Sequence, residues 1–328
     1  MKSVSLEHEM LSLVSKYSDW RIYPNDVSRC SALPSPRNFD GNEHDRNWVL
    51  FESLKEMEKS FVQIFMNECV SRNEDRGFEV NFFSAAADKL KIRVEPFGDY
   101  FAGRFIYSDP KNLDELDGVT SEVRDFIMST SLSIKGGLVL MAGNAGTGKS
   151  VFAHAAMRHR LLQYGGHLVV AGDPPEQPVG DNGLNRVGKN GYVDVVDIGR
   201  IGFSAGLAKI MRSYPAGKKS YLLFNEIRMD SNAFDLVNIA LNGQTVFSTI
   251  HASTADAALD RLVSWCIRSG LDIDLVRNMI AQSLFGITMH KYEMGNFKIF
   301  PNICNEETRK KIREGSMFPF QSSAPLKF

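Results

Sequence analysis

Apolar positions along this chain follow two rhythms. From Leu6 to Tyr17 and from Trp48 to Val70 they recur near helical spacing and predict two helices. Between them, Pro24 and the segment Ser31–Arg37 read as loop. Val80–Phe83, Lys91–Phe97 and Tyr100–Tyr107 are short runs that predict strands, the last two joined by a turn at Gly98 and Asp99. Turn residues at Ser108–Asn112 then reset the pattern, and helical spacing resumes from Leu113 to Ser129. A domain boundary is expected near Pro110, with a small α/β domain over residues 1–110 and a second domain over residues 111–328.

The second part alternates strand and helix patterns. Gly137–Ala142 suits a buried parallel strand and Val151–Arg158 a helix. A strand from Gly166 ends in the acidic stretch Asp173-Pro174-Pro175-Glu176, and the Gly- and Asn-rich Asp181–Gly191 reads as loop. Phe203–Tyr214 is helical by pattern, Ser220 opens an apolar strand that runs into Glu226, and Ala233–Leu241 predicts a helix. Gly243–Ser253 is a further strand that carries Thr249 and His251 near its end. This alternation implies a mainly parallel sheet, whose ligands bind at the carboxyl ends of the strands. Lys149, Asp173, Glu226 and His251 are therefore expected on one rim.

The chemistry centres on Gly143-Asn144-Ala145-Gly146-Thr147-Gly148-Lys149-Ser150, which meets the phosphate-loop pattern G-x-x-x-x-G-K-[ST] at every fixed position, with Val151 opening the helix behind it. The glycines let backbone N–H groups wrap a phosphate, and the helix start adds its positive dipole end. Lys149 is expected to reach the β- and γ-phosphates of ATP and Ser150 to ligate Mg²⁺. Glu226, delivered by a buried strand, fits a carboxylate that acts on the attacking water.

Composition narrows the class. The 328 residues are 43% hydrophobic and 23% charged, ordinary for a globular protein, and a net charge of −1 argues against a protein that coats nucleic acid. The start is charged where a signal peptide needs an apolar core, so a cytoplasmic protein is expected. Four scattered cysteines form no C-x-x-C pair and suggest neither zinc nor a disulfide framework.

Several motifs in register resemble the secretion ATPase superfamily that powers type IV pili, type II secretion and type IV secretion, including pilus retraction motors and DotB-like traffic ATPases. The resemblance covers about Lys91 to Gly315. The family's E-D-P-x-E box falls on Gly172-Asp173-Pro174-Pro175-Glu176, with Gly172 in place of the first acid. Its G-E-x-R-D box falls on Asn225-Glu226-Ile227-Arg228-Met229, which keeps Glu226 and Arg228, and its G-H-x-x-x-S-T-x-H box falls without a gap on Gly243 to His251, with Gln244 in place of the first His. A helix ending L-R-x-x-P is matched less closely around Arg212, and Arg93 and Arg104 lie on a hairpin similar to the one whose arginines approach nucleotide across the domain gap.

The resemblance implies an α/β protein: a RecA-like P-loop ATPase domain with a mainly parallel sheet, preceded by a smaller α/β, PAS-like domain. It implies a homohexameric ring that hydrolyses ATP with Mg²⁺ and works with pilus or secretion platform proteins at the inner membrane face. Asp173 and Glu176 would support the metal shell, Thr249 and His251 would sense the γ-phosphate, and Arg93, Arg104, Arg212 and Arg228 would meet nucleotide. A nucleic-acid translocase on the same core and a nucleotide-dependent scaffold that does not hydrolyse remain alternatives.

Overall fold

The computed structural model describes residues 16–34, 47–72, 74–75, 77–82, 90–107, 111–173, 175, 179–181, 185–228, 230–293 and 296–320. Its chain contacts divide it into two compact units, Met1–Asp109 and Pro110–Phe328.

The N-terminal unit is a six-stranded antiparallel sheet with a helix. Its strands are β1 (Tyr17–Ile22), β2 (Ser31–Pro34), β3 (Val49–Leu50), β4 (Phe78–Phe82), β5 (Leu90–Phe97) and β6 (Tyr100–Tyr107), ordered β3-β2-β1-β6-β5-β4. Helix α1 (Glu56–Arg72) buries Phe61, Val62 and Phe65 against the sheet, where Trp20 is fully enclosed and its ring lies 4.9 Å from that of Phe61.

Here the structure departs from the spacing. The expected helix over Leu6–Tyr17 falls outside the described residues except for its end, and Tyr17 opens β1. Ser31–Pro34 is a strand rather than loop. Its proline closes the strand, a position where a missing N–H is tolerated. The helix expected from Trp48 begins at Glu56, because Val49 and Leu50 pair with β2 instead.

The second unit is built on an eight-stranded sheet. Its elements in chain order are α2 (Ser121–Ile127), α3 (Thr130–Lys135), β7 (Gly137–Gly143), α4 (Lys149–Tyr164), β8 (Gly166–Gly172), β9 (Arg186–Val187), β10 (Gly191–Asp197), α5 (Ile198–Ile201) and α6 (Phe203–Ser213). There follow β11 (Ser220–Glu226), α7 (Asp230–Leu241), β12 (Thr245–His251), α8 (Ala255–Arg268), α9 (Ile273–Ser283), β13 (Leu284–Glu293), β14 (Asn296–Ile303) and α10 (Glu306–Arg313). The strand order is β14-β13-β7-β12-β11-β8-β10-β9. The six central strands run parallel, and the two edge strands β14 and β9 pair antiparallel.

Central strands of such a sheet are covered on both faces and read as continuous apolar runs, and β7 is buried at all seven positions. Successive residues point to opposite faces, so Leu138, Leu140 and Ala142 enter one core while Val139 and Met141 enter the other. The helical spacing of Leu113–Ser129 resolves into a short 3-10 turn at Leu113–Glu115 and α2, separated by Gly118. Gly118 has φ 81°, and a Cβ there would lie 2.6 Å from the Phe297 carbonyl oxygen, so the interruption is needed for the approach of β14. The loop expected over Asp181–Gly191 contains the short edge strand β9.

Candidate active site

The strand register sets the order of residues along the carboxyl rim. His290 on β13 stands opposite Gly143, the end of β7, and Gly143 stands opposite His251, the end of β12. Glu226 ends β11 beside β12, and β8 on its other side delivers Gly172 and Asp173. Lys149 opens α4 six residues past Gly143, the last residue of β7, so Lys149, Asp173, Glu226 and His251 all lie at the carboxyl rim.

Within the loop, Gly146 and Gly148 have φ 79° and 78°, the left-handed region that glycine enters without strain. Asn144, Ala145 and Gly146 are exposed, whereas Thr147 and Lys149 are buried. The Lys149 ammonium donates to the carbonyls of Gly143 at 2.9 Å and Asn144 at 2.5 Å, and Thr147 donates its hydroxyl to Asn144 at 2.8 Å. A cation is thus held inside a ring of backbone, where an anion with strong acceptor oxygens would replace carbonyls as its partner.

The loop is braced from both sides. Phe152 of α4 meets the His290 ring edge at 4.9 Å, and His290 Nε2 pairs with the Thr288 hydroxyl at 2.9 Å. Burial, with the Lys149 cation adding, pushes the His290 pKa down to about 3, so this imidazole is neutral at physiological pH. A Cβ on Gly143 would meet the His290 carbonyl oxygen at 2.4 Å, which explains the glycine there. Farther along α4, Arg158 donates to the Val179 carbonyl at 2.8 Å and pairs with Asp181 at 2.5 Å, tying the helix to the chain beyond the acidic box. Arg160 is fully buried and donates to the Ile127 carbonyl and the Ser133 hydroxyl, anchoring the same helix to α2 and α3.

Glu226 is held between two partners. One carboxylate oxygen accepts from Arg228 Nε at 2.9 Å and Nη2 at 2.7 Å, and the other lies 3.1 Å from His251 Nε2. Arg228 and His251 therefore both engage the rim carboxylate of Glu226. Thr249 does not open toward the loop: it is buried, and its hydroxyl donates to the Asn225 carbonyl across the sheet.

Arg212 requires a correction. It sits in the last turn of α6, which runs back from the β10 end of the rim, so it lies at the amino ends of the strands, away from the phosphate loop. Arg93 and Arg104 belong to the other unit, directly opposite each other in the β5–β6 register, and Arg104 pairs with Asp19 at 2.7 Å. Glu176 and Met229 lie outside the described residues.

Two departures from the motif pattern prove to be one arrangement. A Cβ on Gly172 would lie 2.3 Å from Asn225 Nδ2, on the neighbouring strand, so the carboxamide at 225 occupies the space that a side chain at 172 would take. Gly172→Ala should then cost about 1–3 kcal/mol by overpacking. Adding Asn225→Gly should restore part of that loss, the remainder arising because the Pro175 backbone also lies 2.9 Å from the new methyl. Urea unfolding of the two singles and the double measures the coupling, and additive losses would show the two positions to be independent.

The residues missed in the sequence lie on the β13–β14 hairpin. The mostly apolar stretch Leu284–Met289 carries a strand signal, but nothing in it indicates that His290 stands beside Gly143, since that follows from pairing across more than a hundred residues.

The type II/IV secretion system protein family profile matches residues 96–310. The type II secretion system protein E of Pectobacterium carotovorum subsp. carotovorum is 28% identical over 189 residues, 57% of this chain and 35% of that protein. A twitching motility protein of Neisseria gonorrhoeae is 23% identical over 275 residues, 80% of this chain and 68% of that protein. The chain thus spans about a third of the length of the first of these relatives. In fold it is similar to the X-ray structure of the Legionella pneumophila ATPase DotB, with a TM-score of 0.64 at 15% identity, covering 98% of this chain and 87% of that one. With more than half of its residues matched by one profile, this chain belongs to the type II/IV secretion system protein family.

Proposed function

We propose that this chain is an ATPase motor subunit that couples ATP hydrolysis to type IV pilus dynamics or to type II or type IV secretion. The observation that carries this reading is the complete phosphate loop at the end of β7, with His251 ending the neighbouring β12 and Glu226 ending β11 one strand further on. Its hydroxyl and carboxylate oxygens, from Ser150, Asp173 and Glu226, are hard donors that suit Mg²⁺. Ser150 would hold the ion, with Asp173 and Glu176 supporting it; once bound, Mg²⁺ neutralises charge on the β- and γ-phosphates.

Lys149 leaves the Gly143 and Asn144 carbonyls for the phosphate oxygens. Glu226 orients the attacking water and takes its proton, which requires that at least one of its contacts to Arg228 and His251 be released. His251, freed from Glu226, would sense the γ-phosphate. Rotation of the two units about the Pro110 region as nucleotide binds and leaves would deliver the work. No helix of the described residues is long and apolar enough to cross a membrane, which fits a motor that reaches the inner membrane face through platform proteins.

Phosphate release from ATP by the purified chain tests the reading. Turnover without nucleic acid supports it. ATP binding with no turnover favours the scaffold, and a rate that rises only with added nucleic acid favours the translocase.

A ring completes the proposal. Arg93 and Arg104 stand on the unit that does not contain the phosphate loop, and head-to-tail packing of chains brings one subunit's N-terminal unit to another's site. Arg104 must first give up Asp19. Light scattering with a non-hydrolysable ATP analogue should show a closed assembly, expected to be a hexamer, that Arg93→Ala/Arg104→Ala does not support in turnover. A monomer at all concentrations with a constant specific rate would overturn the ring.

A further inference from the structure

At the amino ends of β8, β10 and β11, the second unit has a cavity of about 830 Å³, within the size range of small-ligand sites. Each of these strands has seven residues, so at about 3.3 Å per residue the cavity lies roughly 20 Å from the phosphate-loop rim. It is a separate site.

Backbone builds its walls. Gly165 and Gly166 have φ 63° and 111°, and a Cβ on Gly166 would lie 2.6 Å from the Lys219 carbonyl oxygen, so the start of β8 passes close to the loop before β11. The Gly166 N–H donates to Asn190 at 3.0 Å and the His167 N–H to Lys219 at 2.9 Å, which pins three segments to one another without relying on side chains.

The lining is cationic. Lys189, Lys218 and Lys219 border the cavity, all exposed at its rim, and among the described residues none of them forms an ion pair. The Lys219 ammonium lies 4.4 Å over the Tyr164 ring, which holds it at the cavity wall. The one carboxylate among the described lining residues, Asp194, is engaged by His167 Nε2 at 2.9 Å. His167 is itself nine-tenths buried with its ring edge against Tyr214 at 5.8 Å, so the imidazole that holds the half-exposed Asp194 carboxylate is fixed in place. Three cations with no described counter-ion, around a pinned concave wall whose acid is already engaged, suit a phosphate group.

We propose that this cavity binds a small soluble phosphorylated anion, its phosphoryl oxygens taken by Lys218 and Lys219. The claim does not depend on ATP hydrolysis. Calorimetric titration with pyrophosphate tests it, in a Lys149→Ala background that weakens the phosphate loop as a competing anion site. That variant should bind one pyrophosphate per chain. Adding Lys218→Ala/Lys219→Ala should weaken binding about tenfold or more, while Lys218→Arg/Lys219→Arg should keep it within about threefold. Lys310→Ala/Lys311→Ala, a pair on α10 outside the cavity, should have no effect. No binding in the Lys149→Ala background, an unaltered affinity after loss of Lys218 and Lys219, or an equal loss from the α10 pair would each overturn the proposal. Lysine-dependent sedimentation with phosphatidylglycerol vesicles, without pyrophosphate binding, would assign the same phosphate chemistry to a lipid headgroup and overturn a soluble ligand.

Discussion

Lys149→Ala should remove nearly all ATP turnover, a loss of about a hundred- to a thousandfold or more, while the protein stays folded. The expected size follows from what the ammonium does. It is the one described cation inside the loop, held by the Gly143 and Asn144 carbonyls, and alanine leaves the β- and γ-phosphates without a partner as charge builds on them. Stability should change far less. Asn144 is exposed and water can replace the lost donor there, and α4 keeps its anchors through Arg158 and Arg160. Phosphate release gives the first quantity and a thermal melt the second. Unchanged turnover in a folded variant would remove the phosphate loop from the mechanism.

Glu226→Gln should separate binding from chemistry. Glutamine keeps the shape and an acceptor for Arg228, but it cannot take a proton from water, so ATP should still bind while hydrolysis falls about a hundredfold or more. The same change weakens the clamp, because the ion pair with Arg228 is lost and an amide faces His251 where a carboxylate oxygen stood. Nucleotide affinity is therefore expected to be equal or better than in the parent. Single-turnover hydrolysis, measured beside equilibrium binding of a fluorescent ATP analogue, resolves the two. Weakened affinity with an unaltered rate per bound ATP would make Glu226 a binding residue and place the acting carboxylate elsewhere.

The sequence by itself determined the local chemistry of this protein. The phosphate loop is contiguous, its glycine positions state the backbone they need, and a buried strand before it and a helix after it are visible in hydrophobic pattern alone, as β7 and α4 bear out. Strand-helix alternation implied a parallel sheet, and a parallel sheet sends every strand's carboxyl end to one rim, so the sequence alone puts Glu226 and His251 on the same rim as Lys149.

What the sequence could not supply is the order of strands and the company each residue keeps, because these depend on pairing between distant segments. His290 stands against the loop because β13 chose β7 as its neighbour. Arg212, matched by motif, falls at the opposite end because α6 runs back across the sheet. Gly172 and Asn225 read as two separate departures until adjacent strands put the carboxamide of one into the space left by the other. In the N-terminal unit, Ser31–Pro34 carries loop residues yet pairs as a strand, since ladder hydrogen bonds with β1 and β3 outweigh the weak local preference of so short a segment.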